Sequence, residues 1–150
     1  MRRLLLVAAT LALITSACGD SDSGTTTDTG LPEDPDRCEV VDQQVLDYLS
    51  TGLVTDDVSL PWGFSVKSTD YPDVWIIAAG VEDQDQSDYA TWAIRAGNWP
   101  TEYVGTVAVD ELAKLITNWG EGVDVIVTDA TNGIKSARAC AIARLDAEGQ

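Results

Sequence analysis

Residues 19–36 limit most strongly how this chain folds. Gly19 to Asp36 consists almost wholly of Asp, Ser, Thr, Gly, Pro and Glu, and Leu31 is its only large apolar residue. Such a stretch buries too little surface to offset the entropy of ordering it. It separates a short apolar leader from residues 37–150, a length suited to one domain with one core. As a flexible coil the stretch spans about 23 Å, and fully extended about 60 Å. We read it as a spacer that lifts a domain away from whatever holds the amino terminus.

The leader has three parts. Met1-Arg2-Arg3 is basic, Leu4 to Ile14 is apolar except for Thr10, and Thr15-Ser16-Ala17 are small. This order describes a secretory signal. The apolar run is shorter than the about 20 residues that span a bilayer. The paired arginines read as an ordinary basic start. Ile14-Thr15-Ser16-Ala17-Cys18 resembles the lipobox of bacterial lipoproteins. It departs from that pattern at Thr15, where leucine is commonest. The resemblance implies that residues 1–17 are removed and that Cys18 carries a diacylglycerol thioether, with its new amino group often acylated too (palmitate is the expected chain). Residues 18–36 are then a lipidated cysteine and an acidic tether, and residues 37–150 the folded domain. Two or more acyl chains anchor stably, so the expected location is the extracytoplasmic side of a cell membrane.

Charge restricts the partners. The whole chain carries a formal −16; residues 37–150 hold 7 bases and 19 acids, a net −12. Nucleic acid and anionic lipid both need basic patches and are not expected as partners. Solubility and cationic partners are favoured.

With Cys18 assigned to lipid, Cys38 and Cys140 remain as an even pair in a compartment that permits disulfides. We expect them to be bonded. A redox or nucleophilic thiol would need a CxxC pattern or a histidine, and the chain has neither.

Periodicity predicts the elements. Val41, Val45 and Leu49, with Leu46 beside them, predict a helix over 39–50. Trp62 to Lys67 alternates as a strand with Trp62, Phe64 and Val66 on one face. Val74 to Glu82 is apolar on both faces, as a central strand is. Tyr89 to Arg95 alternates with Trp92 and Ile94 inward, and Gly97-Asn98-Trp99-Pro100 breaks it. Tyr103 to Val109 is a possible fourth strand. Asp110 is placed to cap a helix with Leu112, Leu115, Ile116 and Trp119 on one stripe, stopped at Gly120. Val123 to Val127 reads as extended. Thr131 or Asn132 begins a last helix carrying Ile134, Ala137, Ala141 and Leu145 inward. Short turns between strands imply antiparallel pairing. The expected fold is α+β: an antiparallel sheet of three or four strands, helices packed on one face, and a disulfide joining the N- and C-terminal helices.

The spacing of Val74 to Gly80, Thr91-Trp92-Ala93, Trp119-Gly120 and the late Cys140 resembles small, uncharacterised lipoproteins of high-GC Gram-positive bacteria. The resemblance covers most of residues 38–145. It implies an envelope location and supplies no activity and no functional residues.

Catalytic chemistry is thinly represented. The chain has no histidine, no phosphate-binding loop and no Ser-x-x-Lys nucleophile pattern. Ser65 and Lys67 share a strand face at a spacing of two, which matches no nucleophile pattern. Asp83, Asp85 and Ser87 imitate the opening of a calcium loop. However, Asp88 stands where the glycine belongs and Ile94 where the bidentate glutamate belongs. A solvated hairpin turn is the preferred reading, with Asp83, Asp85 and Asp88 as the only candidate metal ligands. No cofactor is expected. Among the tryptophans, Trp62, Trp75, Trp92 and Trp119 fall on core stripes. Trp99, in a loop before Pro100, and the nearby Tyr103 are the candidate partner contacts. The expected role is a non-catalytic, lipid-anchored domain that binds or scaffolds an envelope protein or glycan. The alternative is a small hydrolase using paired carboxylates on a wall glycan. A cation-binding module is a third reading. A two-lobed solute receptor would need a longer chain.

Overall fold

The computed structural model describes residues 34–83, 86–120, 127 and 131–149. Cys18, the expected tether up to residue 33, and residues 123–126 of the extended piece expected over 123–127 lie outside these.

The elements are β1 (Glu39–Val40), α1 (Gln43–Ser50), β2 (Val58–Ser59), β3 (Gly63–Lys67), β4 (Val74–Asp83), β5 (Gln86–Asn98), β6 (Glu102–Ala108), α2 (Glu111–Ile116) and α3 (Ile134–Glu148), preceded by a 3-10 turn at Pro35–Arg37. The strands form one antiparallel sheet in the order β1-β3-β4-β5-β6, with β2 pairing the far end of β4. The class is α+β as expected, with more strands than the three or four anticipated.

The helices do not all lie on one face. The long strands β4 and β5 pair from Val74↔Arg95 to Asp83↔Gln86. On one face Ile77, Ala79, Val81, Ala90, Trp92 and Ile94 pack with Val45, Leu46 and Leu49 of α1 and with Ala113 and Ile116 of α2. On the other, Val66, Val74, Ile76, Ala78 and Ala93 pack with Ile134, Ala137 and Ala141 of α3. Strands that are apolar on both faces need a cover on each. Trp62, Phe64 and Val66 share the α3 face as the alternation required: Phe64 pairs with Ala78 and Val66 with Ile76.

The first helix starts later than its periodicity implied. Glu39 and Val40 are extended and pair with Ser65 and Phe64. The Val41 amide donates to the Gly63 carbonyl at 3.0 Å. Val41 reaches the core from extended chain, so its spacing from Val45 mimicked a helical turn. The second helix is also shorter. Asp110 caps it as expected, its Oδ1 accepting from the Ala113 amide at 2.9 Å. It ends at Ile116, because Thr117 bridges to Leu53 and the Val54 amide takes the Ile116 carbonyl at 2.9 Å. Leu115 therefore faces solvent, 74% exposed, off the expected stripe. Gly120 lies beyond the helix end rather than stopping it. For α3 the cap residue is Gly133 at φ 100°, not Thr131 or Asn132. That left-handed geometry favours glycine, and a Cβ there would come within 3.1 Å of Val66.

The Cys38–Cys140 disulfide is present, with Cα atoms 6.7 Å apart and 102 residues between them in sequence. Cys38 lies between the 3-10 turn and β1, so the bond ties α3 to an extended segment rather than to a helix. Polar contacts reinforce this junction. The Asp34 amide donates to Ser136 Oγ at 3.1 Å, and Arg37 Nη2 donates to Lys67 O at 2.7 Å and to Asn132 Oδ1 at 2.8 Å. No helix among the described residues is long and apolar enough to cross a membrane.

Candidate functional site

Strand register and the packing of α1 against the segment after α2 bring five aromatic side chains into one row, and all five are half-buried. Trp75 comes from β4, Trp99 from the turn between β5 and β6, Tyr103 from β6, Tyr48 from α1, and Trp119 from the segment after α2. Trp75 and Trp99 are stacked almost parallel, with centroids 4.9 Å apart and 7° between planes. Tyr103 meets Trp99 edge-on at 6.4 Å. Tyr48 stacks on Tyr103 at 4.0 Å, and Trp119 tilts against Tyr48 at 5.1 Å. At the Trp75 end, Lys67 Nζ stands over the ring, 4.9 Å from its centroid.

Hydrogen bonds hold the row in place. The Trp119 indole donates to the Leu49 carbonyl at 3.0 Å. The Tyr48 and Thr106 hydroxyls are 2.9 Å apart and bonded. The Tyr103 hydroxyl is buried and has no partner among the described residues. Burial raises its pKa, with Tyr48 and Asp42 acting in the same direction.

A β-bulge explains why Tyr103 joins the row. The β5–β6 register shifts between Arg95 and Ala96 and again between Ala96 and Asn98. Thr106 and Ala108 face the α1 side, so uninterrupted alternation would turn Tyr103 the other way. The extra residue reverses the parity. Trp99 is therefore not a free loop side chain: its turn folds back and seats it against Trp75.

The backbone at Gly52 fixes the other end. A Cβ there would collide with the Trp119 indole ring, so only glycine lets the rings pack this closely. Gly52→Ala is expected to destabilise the fold by about 1–3 kcal/mol through overpacking. Urea unfolding together with tryptophan emission would check this, since the variant should also loosen Trp119. An unchanged midpoint would mean that Trp119 moves aside at no cost.

The acidic hairpin has a different geometry from a calcium loop. Asp83 pairs with Gln86, leaving two connecting residues, whereas a calcium loop takes about twelve. Asp88 lies within β5 and accepts from the Tyr89 amide at 2.8 Å. Ile94 is fully buried opposite Trp75. Asp85 lies outside the described residues. Among the described residues no group of three or more potential ligands is placed to hold a metal.

Ser65 and Lys67 do not form a reactive pair. Ser65 is buried within β3, while the Lys67 ammonium is taken up with Trp75. Asp73 is bonded to Arg95 Nε at 2.6 Å, and that hydrogen bond lowers its pKa. That direction is opposite to the one a general acid needs.

Trp99 and Tyr103, singled out in the sequence, are thus brought together. Tyr48, Trp75, Trp119 and Lys67 join them and were not marked as surface residues. The border position of Tyr48 on the amphipathic α1, between Val45 and Leu49, is the one signal that could have placed it. Comparison with protein-family models, with curated proteins and with solved structures gives no match to this chain.

Proposed function

We propose that the chain is a lipid-anchored extracytoplasmic protein of the cell envelope, tethered through Cys18, whose folded domain binds or scaffolds an envelope component without catalysing a reaction. The aromatic row carries the binding part of this reading. Half-buried tryptophan and tyrosine rings on a stiff support are the side chains that dominate binding at interfaces, because they offer large area at little cost in ordering. The support here is a sheet covered on both faces and closed by a disulfide. That bond also fits an oxidising compartment outside the cytoplasm. The lipobox-like residues Ile14 to Cys18 and the acidic stretch after them support the anchor.

Two measurements test the two parts. For the anchor, Cys18→Ala should move the chain wholly from the membrane fraction to the soluble one and remove the diacylglycerol mass from the intact protein. A variant that stays membrane-bound at an unaltered mass would sink the anchor. For binding, a photo-cross-linker at Val104, beside Tyr103, should give a discrete adduct in native membranes, and one at Ala147, near the end of α3, should not. Equal adducts from both positions, or none from either, would remove the row as a binding surface.

A further inference from the structure

The charges around the aromatic row identify its partner's chemistry. We propose that the row from Trp75 to Tyr48 docks a lysine- or arginine-bearing segment of another envelope protein. This rests on the binding-module reading above.

One observation is internal to the molecule. Lys67 places its ammonium over the face of Trp75. A cation is attracted to an indole face by the ring quadrupole. One end of the row already accepts a cation, supplied by the chain itself.

The acids along the row are the second observation. Asp42 and Asp47 are both exposed. Asp42 acts electrostatically on the Tyr103 phenol. Asp47 precedes Tyr48 on α1 and accepts a hydrogen bond from Gln43 Nε2 at 3.0 Å. Neither carboxylate forms a salt bridge among the described residues.

Residues 37–150 carry a net −12, the third observation. That field draws in a cationic segment and repels an anionic one. Aromatic faces alone would accept many partners; aromatic faces beside acids that form no salt bridge among the described residues select those with ammonium or guanidinium groups. A guanidinium can also lie flat on an indole. The row needs little rearrangement to bind, since three elements fix it before a partner arrives.

The test uses the full-length chain in detergent, titrated with an oligolysine peptide and followed by calorimetry and tryptophan emission. Saturable binding at one peptide per chain is expected. Trp99→Ala should weaken it about tenfold, and Asp42→Asn about threefold. Lys67→Ala should strengthen it about threefold by clearing the Trp75 face, whereas Lys114→Ala, which changes the net charge equally on α2, should not. Lys67 and Lys114 are both exposed, so this pair remains informative if Trp99→Ala fails to fold. Equal responses to the two lysine variants would overturn the proposal, showing only diffuse attraction to an acidic surface. Loss of oligolysine binding while the Val104 cross-link persists would overturn the cationic partner and leave the binding module standing. Saturable, Trp99-dependent binding of a chitin oligosaccharide instead would reassign the row to glycan. Failure of the peptide and of the cross-link together would bring down both readings.

Discussion

Replacing Cys38 and Cys140 together with alanine is expected to lower the unfolding free energy by about 2–5 kcal/mol, towards the upper end of what one native disulfide contributes. The bond spans 102 residues, nearly the whole folded domain, and a loop of that length confines the unfolded chain by about 4.7 kcal/mol in the chain-entropy model. Little of the effect should come from lost contacts. Cys140 is buried and Cys38 half-buried. The Cys38 sulfur lies 3.4 Å from Ser136 O, but a bonded sulfur has no proton to donate. Because the bond acts on the unfolded ensemble, urea unfolding should show two changes. The midpoint should fall, and the slope should steepen as the released chain exposes more surface. A variant with the parent's midpoint and slope would show that the bond does not constrain the unfolded chain.

Trp92→Ala is expected to cost about 3–5 kcal/mol, a large part of the about 5–15 kcal/mol that usually stabilises a domain. Trp92 is fully buried at the centre of the core beneath α1 and α2. Its indole donates to Thr117 Oγ1 at 3.3 Å, and Thr117 in turn donates to the Ala113 carbonyl at 2.6 Å, so it also braces the end of α2. Trp92→Phe should cost less. It keeps most of the ring volume, and Thr117 retains its bond to Ala113. Equilibrium unfolding of the two variants separates cavity formation from the lost hydrogen bond. Equal losses would assign the effect to the hydrogen bond, and a loss below about 1 kcal/mol for Trp92→Ala would mean that the surrounding core closes over the gap.

Local pattern revealed part of this architecture. The alternation at Trp62 to Lys67, the two-faced apolar run at Val74 to Glu82, the inward Trp92 and Ile94, and the Asp110 cap are each decided within a few residues, and each holds in the fold. The two-faced run also implied a helix on each side of the sheet. That consequence stayed hidden because helical stripes at Val45 and Ile134 look alike whichever face they cover. The Val41 spacing misled for the opposite reason: extended chain pinned to β3 placed it where a helical turn would have. Leu115 misled because distant backbone bonds from Leu53 and Val54 end α2 early.

Trp99 was legible as an aromatic in a turn, but its stacking on Trp75 was not. That contact depends on the register of the β4–β5 ladder and on a bulge 21 or more residues from Trp75. Tyr48 and Trp119 enter the row only through the packing of α1 against the segment after α2.

By itself the sequence determined the acidic balance, pointed to the pairing of Cys38 with Cys140 and indicated the α+β class of the fold. These follow from composition, residue counts and short-range periodicity, which need no knowledge of distant contacts. Only the tertiary structure decided which face each helix covers, where α1 and α2 begin and end, and that five separated rings form one surface beside Lys67. Those outcomes depend on strand register and on backbone bonds between residues far apart in the chain, and a one-residue shift in either would send the same side chains to the opposite face.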